Sequence, residues 1–157
     1  MTSPADAVTG TPAAPNPSRD AGPHATLQVL RVVAVLHSLA FLAQPVFAGG
    51  YLMGDVDSLA THTTNAFLIS AIDLVQLICA IVFFWKGRGP AWPIWASLAI
   101  AVAVEVQIGM GYTRELVVHL PLGVSLITGQ ILATVWLFRA AAVKARAPRV
   151  ARPERAS

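Results

Sequence analysis

Four stretches of about 20 mostly apolar residues, roughly 26–48, 65–85, 92–110 and 116–138, leave this chain few ways to fold. A helix needs about 20 such residues to cross the hydrocarbon core of a bilayer. Hydrocarbon offers no partner to an exposed backbone N–H or C=O, so a spanning segment of this length closes its hydrogen bonds on itself as a helix. The chain has 157 residues, of which 55% are apolar and only 12% charged, so little material remains for a separate soluble domain. The expected fold is all-α: an integral membrane four-helix bundle, multi-pass in a bacterial-type plasma membrane. Short connections between successive spans give it up-down-up-down order.

The flanks carry topology rather than chemistry. Residues 1–24 are rich in Pro, Ala, Ser and Thr and read as a disordered N-terminal tail. The first apolar stretch has no basic segment before it and is too long for a signal-peptide core, so it reads as a retained span. The bundle then occupies 25–139, and 140–157 is a basic tail. Lys86 and Arg88 lie in the second loop and Arg139, Lys144, Arg146, Arg149, Arg152 and Arg155 crowd the tail, whereas the first loop holds Asp55 and Asp57 and no base. Positive charge marks the cytoplasmic side, so both termini are expected there. The net charge of +3 comes largely from this tail and fits contact with anionic lipid. No recognition motif accompanies it, which excludes a nucleic-acid partner. Cys79 is the single cysteine, which excludes a disulfide, a CxxC redox pair and a thiolate zinc site.

Asp57 or Ser58 is the expected N-cap of the second helix, and Thr113 that of the fourth. Pro90 and Pro93 stand where a third helix would begin, a position that tolerates proline. Spans two and four then start from the same face, with His62 and His119 at similar depth. Helical phase aligns further polar residues with them, since eleven residues return to within about 20° of the same direction. His62 and Asp73 share a stripe with Asn65 and Gln76; His119 shares one with Gly123 and Gln130. In span one, His37 and Gln44 share a face with Phe41 between them. Span three carries two opposed stripes, Gln107–Gly111–Arg114 and Glu105–Gly109–Tyr112, and phase does not say which faces inward.

Any one of these polar side chains has a structural explanation, because membrane bundles use Gln, Asn, Ser and His as interhelical hydrogen-bonding groups. His37 reads as such a group or as a support to a site. His62 and His119 read together as a ligand pair, since imidazole suits iron, copper and zinc, and one histidine on each of two helices is a way to hold haem. A slot for the ring is offered by Gly111, Gly123, Ala66 and Phe67, and Arg114 and Tyr112 stand at the aqueous edge where propionates need donors. Zinc fits less well for want of a third ligand at that depth.

The passages VQIGMGYTRELVVHLPLGV and DSLATHTTNAF resemble the corresponding parts of one four-helix half of the heme A synthase family. There a Q-x-x-x-G segment closes the third helix and a histidine opens the fourth. The resemblance covers roughly 26–138 as topology and 105–124 as local pattern. It implies a haem-b-binding module with His62 and His119 as the ligands. The family carries a Glu three residues before the first histidine and an Arg directly after it, and this chain has Leu59 and Thr63 there, so the family's oxygenating activity is not implied. The family enzyme fuses two such halves, which a homodimer of this chain would restore.

Three readings stand at this point. One is a b-type haem protein passing electrons to or from a quinol or a redox partner. A second is an intramembrane acid–base enzyme acting on a lipophilic, isoprenoid-like substrate, with Asp73 or Glu105 as the catalytic carboxyl. The third is an accessory subunit of a membrane complex.

Overall fold

The computed structural model describes residues 24–144. The N-terminal tail ahead of them, and Arg146, Arg149, Arg152 and Arg155 of the basic tail, lie outside the described residues. Within them all regular structure is helical: α1 (His24–Leu52), α2 (Asp57–Trp85), α3 (Trp92–Tyr112), α4 (Leu116–Leu137) and a single turn, α5 (Ala140–Val143). The first four are each long and apolar enough to cross a membrane. α1 packs on α2 and α4, and α3 packs on the same two, so α1 faces α3 across the bundle and α2 faces α4.

Burial runs opposite to that of a water-soluble bundle. Large apolar side chains cover the outside, with Val32 60% and Leu132 63% exposed, while His37 and Gln130 are at 0%. That distribution is what hydrocarbon imposes, because apolar surface gains nothing by hiding from lipid and polar groups must find partners inside.

The interior is layered. At one end Leu27, Leu30, Ala34, Ala80, Phe83 and Leu137 form an apolar cluster, against which the wholly buried Ala142 of α5 packs. The Arg31 Nε–H donates to the Leu137 carbonyl at 2.9 Å, and its guanidinium lies 4.9 Å over the Phe138 ring, so α4 and α1 are tied at this end. A polar layer follows, built from His37, Ser38, Asp73, Gln76, Ser97, Gln130 and Thr134. Beyond it Ala40, Phe41, Ile69, Ile100, Val104 and Leu126 form a second apolar cluster. Contacts between α1 and α2 advance in opposite senses along the two helices: His37 meets Gln76, Ala40 meets Asn65 and Gln44 meets His62.

The helix ends differ from expectation in two places. α2 does begin at Asp57, but its first N–H groups are served from outside it: Asp55 Oδ1 accepts from the Asp57 N–H at 3.1 Å and Oδ2 from the Ser58 hydroxyl at 2.7 Å. A residue already inside the helix cannot turn its side chain back to cap it, and Asp55 stands in the turn where it can. Thr113 closes α3 instead of opening α4. Its N–H still bonds to the Gly109 carbonyl, so the chain is helical there, and the reversal comes at Arg114, whose φ is 60°. α4 starts after Glu115. Pro93 stands in the first turn of α3 as expected, while Pro45 and Pro121 lie inside α1 and α4.

The Asp55 contacts make the start of α2 sensitive to acid. The Ser58 hydroxyl bonded to Asp55 holds its carboxyl below the usual carboxylate range. A depressed folded-state pKa contributes stability that is present above the ordinary carboxylate pKa and lost as pH falls through the depressed value. Protection of the Asp57, Ser58 and Leu59 amides, taken relative to intrinsic exchange at each pH, should therefore fall selectively in acid, and Asp55→Asn should remove that selectivity; an equal acid loss of protection in the variant counts against the cap.

Candidate functional site

His62 lies two turns into α2 and His119 in the first turn of α4, and the bundle brings their rings to a centroid separation of 6.3 Å with planes inclined by 52°. Both line one cavity of about 70 Å³, whose other walls include Phe41, Ile69, Val104, Ile108, Leu126 and Ile127. Helices on opposite sides of a square bundle project toward its axis, so α2 and α4 present side chains at equal depth to the same space.

The imidazoles are oriented by matching sets of contacts. The His119 Nδ1–H donates to the Gln107 carbonyl at 3.0 Å, while the Gln107 side-chain amide donates to the His119 carbonyl at 2.9 Å. His62 Nδ1 lies 3.2 Å from the Gln44 carbonyl. The Gln44 carboxamide, turned so that donors meet acceptors, donates to the His62 carbonyl at 3.2 Å and accepts from the Ala66 N–H at 3.3 Å. Each histidine is thus clamped by a glutamine near the end of the preceding helix. The turned Gln44 amide nitrogen also donates to His62 Nδ1 at 3.1 Å, whereas His119 Nδ1 meets only a backbone carbonyl, which can only accept, so this Nδ1 carries hydrogen and its Nε2 keeps a lone pair. That is the tautomer in which imidazole binds a metal, with its second nitrogen bonded to an orienting group.

Two glycines make room for the second clamp. A Cβ at Gly111 would stand 3.0 Å from His119 Cε1, and one at Gly123 would stand 2.9 Å from the Gln107 amide nitrogen. Gln107 Oε1 is buried beside the cavity without a hydrogen-bond partner. The Gln107 stripe of α3 is therefore the inward one. Glu105 is exposed, and its carboxylate accepts from the Ser70 hydroxyl on α2.

The remaining expected site residues fall into two groups. Ala66 lines the cavity, whereas Phe67 is 54% and Tyr112 67% exposed. Arg114 is exposed at the α3–α4 turn, a few residues before His119. Asp73 and Glu105 do not line the cavity. Asp73 instead faces His37 in the polar layer, with His37 Nε2 3.7 Å from its Oδ1. Gln44 and the amide of Gln107 are the contributors that side-chain patterning did not assign; the available signal was a glutamine in the last turns of each helix that precedes a histidine-bearing one.

Among the described residues no group of three or more His, Cys, Asp or Glu converges on a common point. A bare metal ion would want a third or fourth protein ligand, whereas a porphyrin supplies four nitrogens of its own and needs only two. Metal–nitrogen bonds of about 2.0–2.1 Å to two opposed imidazoles place the ring centroids about 6 Å apart, in line with the observed spacing. Two histidines are fewer ligands than zinc takes from protein, and the cavity of about 70 Å³ is smaller than a porphyrin. The fold and site together define a four-helix bundle of membrane type with two oriented imidazoles facing one internal cavity. No family model, curated protein or solved structure matches the chain.

Proposed function

We propose that the protein is a multi-pass plasma-membrane b-type haem protein that exchanges electrons with a quinol or a redox partner. Its bundle runs up-down-up-down with both termini in the cytoplasm, in keeping with the basic second loop and tail. His62 and His119 would hold the iron, Gly111 makes room for the His119 ring and Gly123 lines the cavity, and Arg114 and Tyr112 would be the donors available to propionates at the aqueous edge. The observation that carries this reading is the pair of imidazoles, 6.3 Å apart between ring centroids, each held by a glutamine at one cavity.

A cavity of about 70 Å³ has room for roughly two waters and not for a porphyrin. Holding a porphyrin here would require the Gln107 carboxamide to leave its seat against Gly123 and the apolar walls to part. Haem, when bound, supplies a one-electron couple between ferric and ferrous iron. The residues of this chain orient the two ligands, shield the couple with apolar walls and leave an edge near the α3–α4 turn for a partner.

Detergent-purified protein from haem-replete cells should show a Soret band that sharpens on reduction together with a distinct α band. A colourless preparation that also fails to take up added hemin would overturn the reading. Asp73 and Glu105 remain the carboxyls for the acid–base alternative, but the cavity opens on neither of them, so the geometry does not favour it.

A further inference from the structure

Among the described residues, three charged side chains lie well inside the four long helices: Arg31, Asp73 and Glu105. Two of them are sheltered, since Asp73 is 2% exposed and Arg31 is held by the Leu137 carbonyl and the Phe138 ring. Glu105 is exposed on the outside of the bundle. Aromatic residues bracket α3, Trp92 and Trp95 at one end and Tyr112 at the other, as they do at the two interfaces of a membrane. Its 21 residues cover about 30 Å, the thickness of the hydrocarbon core. Glu105 stands seven residues before Tyr112, about 10 Å of helix, and a glutamate side chain is too short to reach water over that distance. The Ser70 hydroxyl donates to Oε1, and no hydrogen bond holds Oε2 among the described residues. A polar group left short of partners at this depth takes them from a neighbouring helix.

The surface around that carboxyl admits a close neighbour. Ala101 and Gly109 stand one turn before and one turn after Glu105 on the same side of α3. A Cβ on Gly109 would meet nothing within 4 Å, so packing inside the chain does not call for a glycine there. Phe67 and Leu74, one turn to either side of Ser70 on α2, are exposed and apolar, as is Val102 on α3. The stripe points about 200° away from Gln107, so it is separate from the cavity and from whatever the cavity holds.

We infer that this stripe is the contact face for a second copy of the chain, with the two Glu105 carboxyls meeting across a two-fold axis normal to the membrane. A carboxyl in its acid form is donor and acceptor at once, so it is complementary to itself. A second copy inserted the same way round carries its Glu105 at the same depth, and a two-fold contact then repeats each interaction. Ala101 and Gly109 let the two α3 backbones close on one another, and Ser70 of each copy supports its own carboxyl from behind. Two ionised carboxylates would repel, so the contact holds at least one proton. An unrelated helix would need a donor and an acceptor at this same depth, and a lipid chain has neither.

The test is energy transfer between donor-labelled and acceptor-labelled full-length chains in liposomes, diluted stepwise with lipid. Wild type should dimerise, and Glu105→Leu should weaken the dimer at least about tenfold. Glu105→Gln, whose amide again both donates and accepts, should stay within about threefold of wild type. Gly109→Leu should also weaken the dimer without touching the carboxyl, and its open surroundings leave the fold intact, which helical circular dichroism checks. In a Cys79→Ala background, oxidation should cross-link Ala101→Cys to its copy and should not cross-link Leu132→Cys, which lies on the outside of α4. A wild type that stays monomeric at every dilution, a Glu105→Leu that dimerises as tightly, or cross-linking through Leu132→Cys in place of Ala101→Cys overturns the contact. So does a monomer that holds a lipid or another polypeptide through Glu105.

Discussion

If the protein holds haem as proposed, His119→Ala and His62→Ala should each abolish the α band, while His37→Gln should leave it in place. This is the largest effect expected of single substitutions in the chain, and its three-way form is what makes it informative. Loss of an outer partner of a ligand typically costs 10–100-fold in metal affinity, so loss of the ligand itself should cost at least about that. His37 is as buried as any residue in the protein, yet it does not line the cavity. A spectrum equally lost in His37→Gln would show that the assay reports folding rather than ligation. A spectrum retained in His119→Ala would remove that residue from the site. The readout is the reduced-minus-oxidised absorbance per mole of folded protein, with folding checked by helical circular dichroism and size exclusion.

Gln76→Leu should destabilise the bundle by about 2–6 kcal/mol, on the basis of two stranded groups at about 1–3 kcal/mol each. Gln76 is the hub of the polar layer: its oxygen accepts from His37 Nδ1 and from the Gln130 amide, and its amide donates to Ser97 Oγ at 3.3 Å and to Gln130 Oε1 at 3.2 Å. Leucine fills similar space and answers none of these groups, so the loss is electrostatic rather than a cavity. Thr64→Ala is the control, because the Thr64 hydroxyl bonds only to the Ala60 carbonyl of its own helix and the residue is exposed. It should fall within about 0.5 kcal/mol of wild type. Reversible unfolding in mixed micelles measures both, and equal stabilities for the two variants would mean that the polar layer does not hold the helices together.

Much of the bundle's interior is written in side-chain periodicity. His62, Asn65, Asp73 and Gln76 return to one face of α2, and His119, Gly123 and Gln130 to one face of α4, because a polar group in hydrocarbon has nowhere else to go. Depth was legible for the same reason, since two helices that start from the same face put their early histidines level. Span three was not legible: each of its stripes pairs a polar residue with a glycine, and what selects Gln107 is its bond to the carbonyl of His119. Backbone carbonyls are the same at every position and leave no trace in a sequence pattern, so the glutamine clamps were hidden too. The turns misled for a local reason. Thr113 looks like an N-cap, but the left-handed residue that ends one helix and frees the next is Arg114.

Each glutamine clamp is closed within a single helical hairpin, Gln44 to His62 in the first and Gln107 to His119 in the second. Half of the site thus travels complete with each hairpin, and the 86–91 connection carries none of it. As parts, the two halves are interchangeable in kind: each already contains a histidine and the glutamine that orients it. Two hairpins made as separate chains, or one hairpin meeting its own copy, bring together the same donors as the continuous polypeptide. A bundle of this type is therefore open to growth by copying a hairpin, with every intermediate carrying a histidine and the glutamine that holds it.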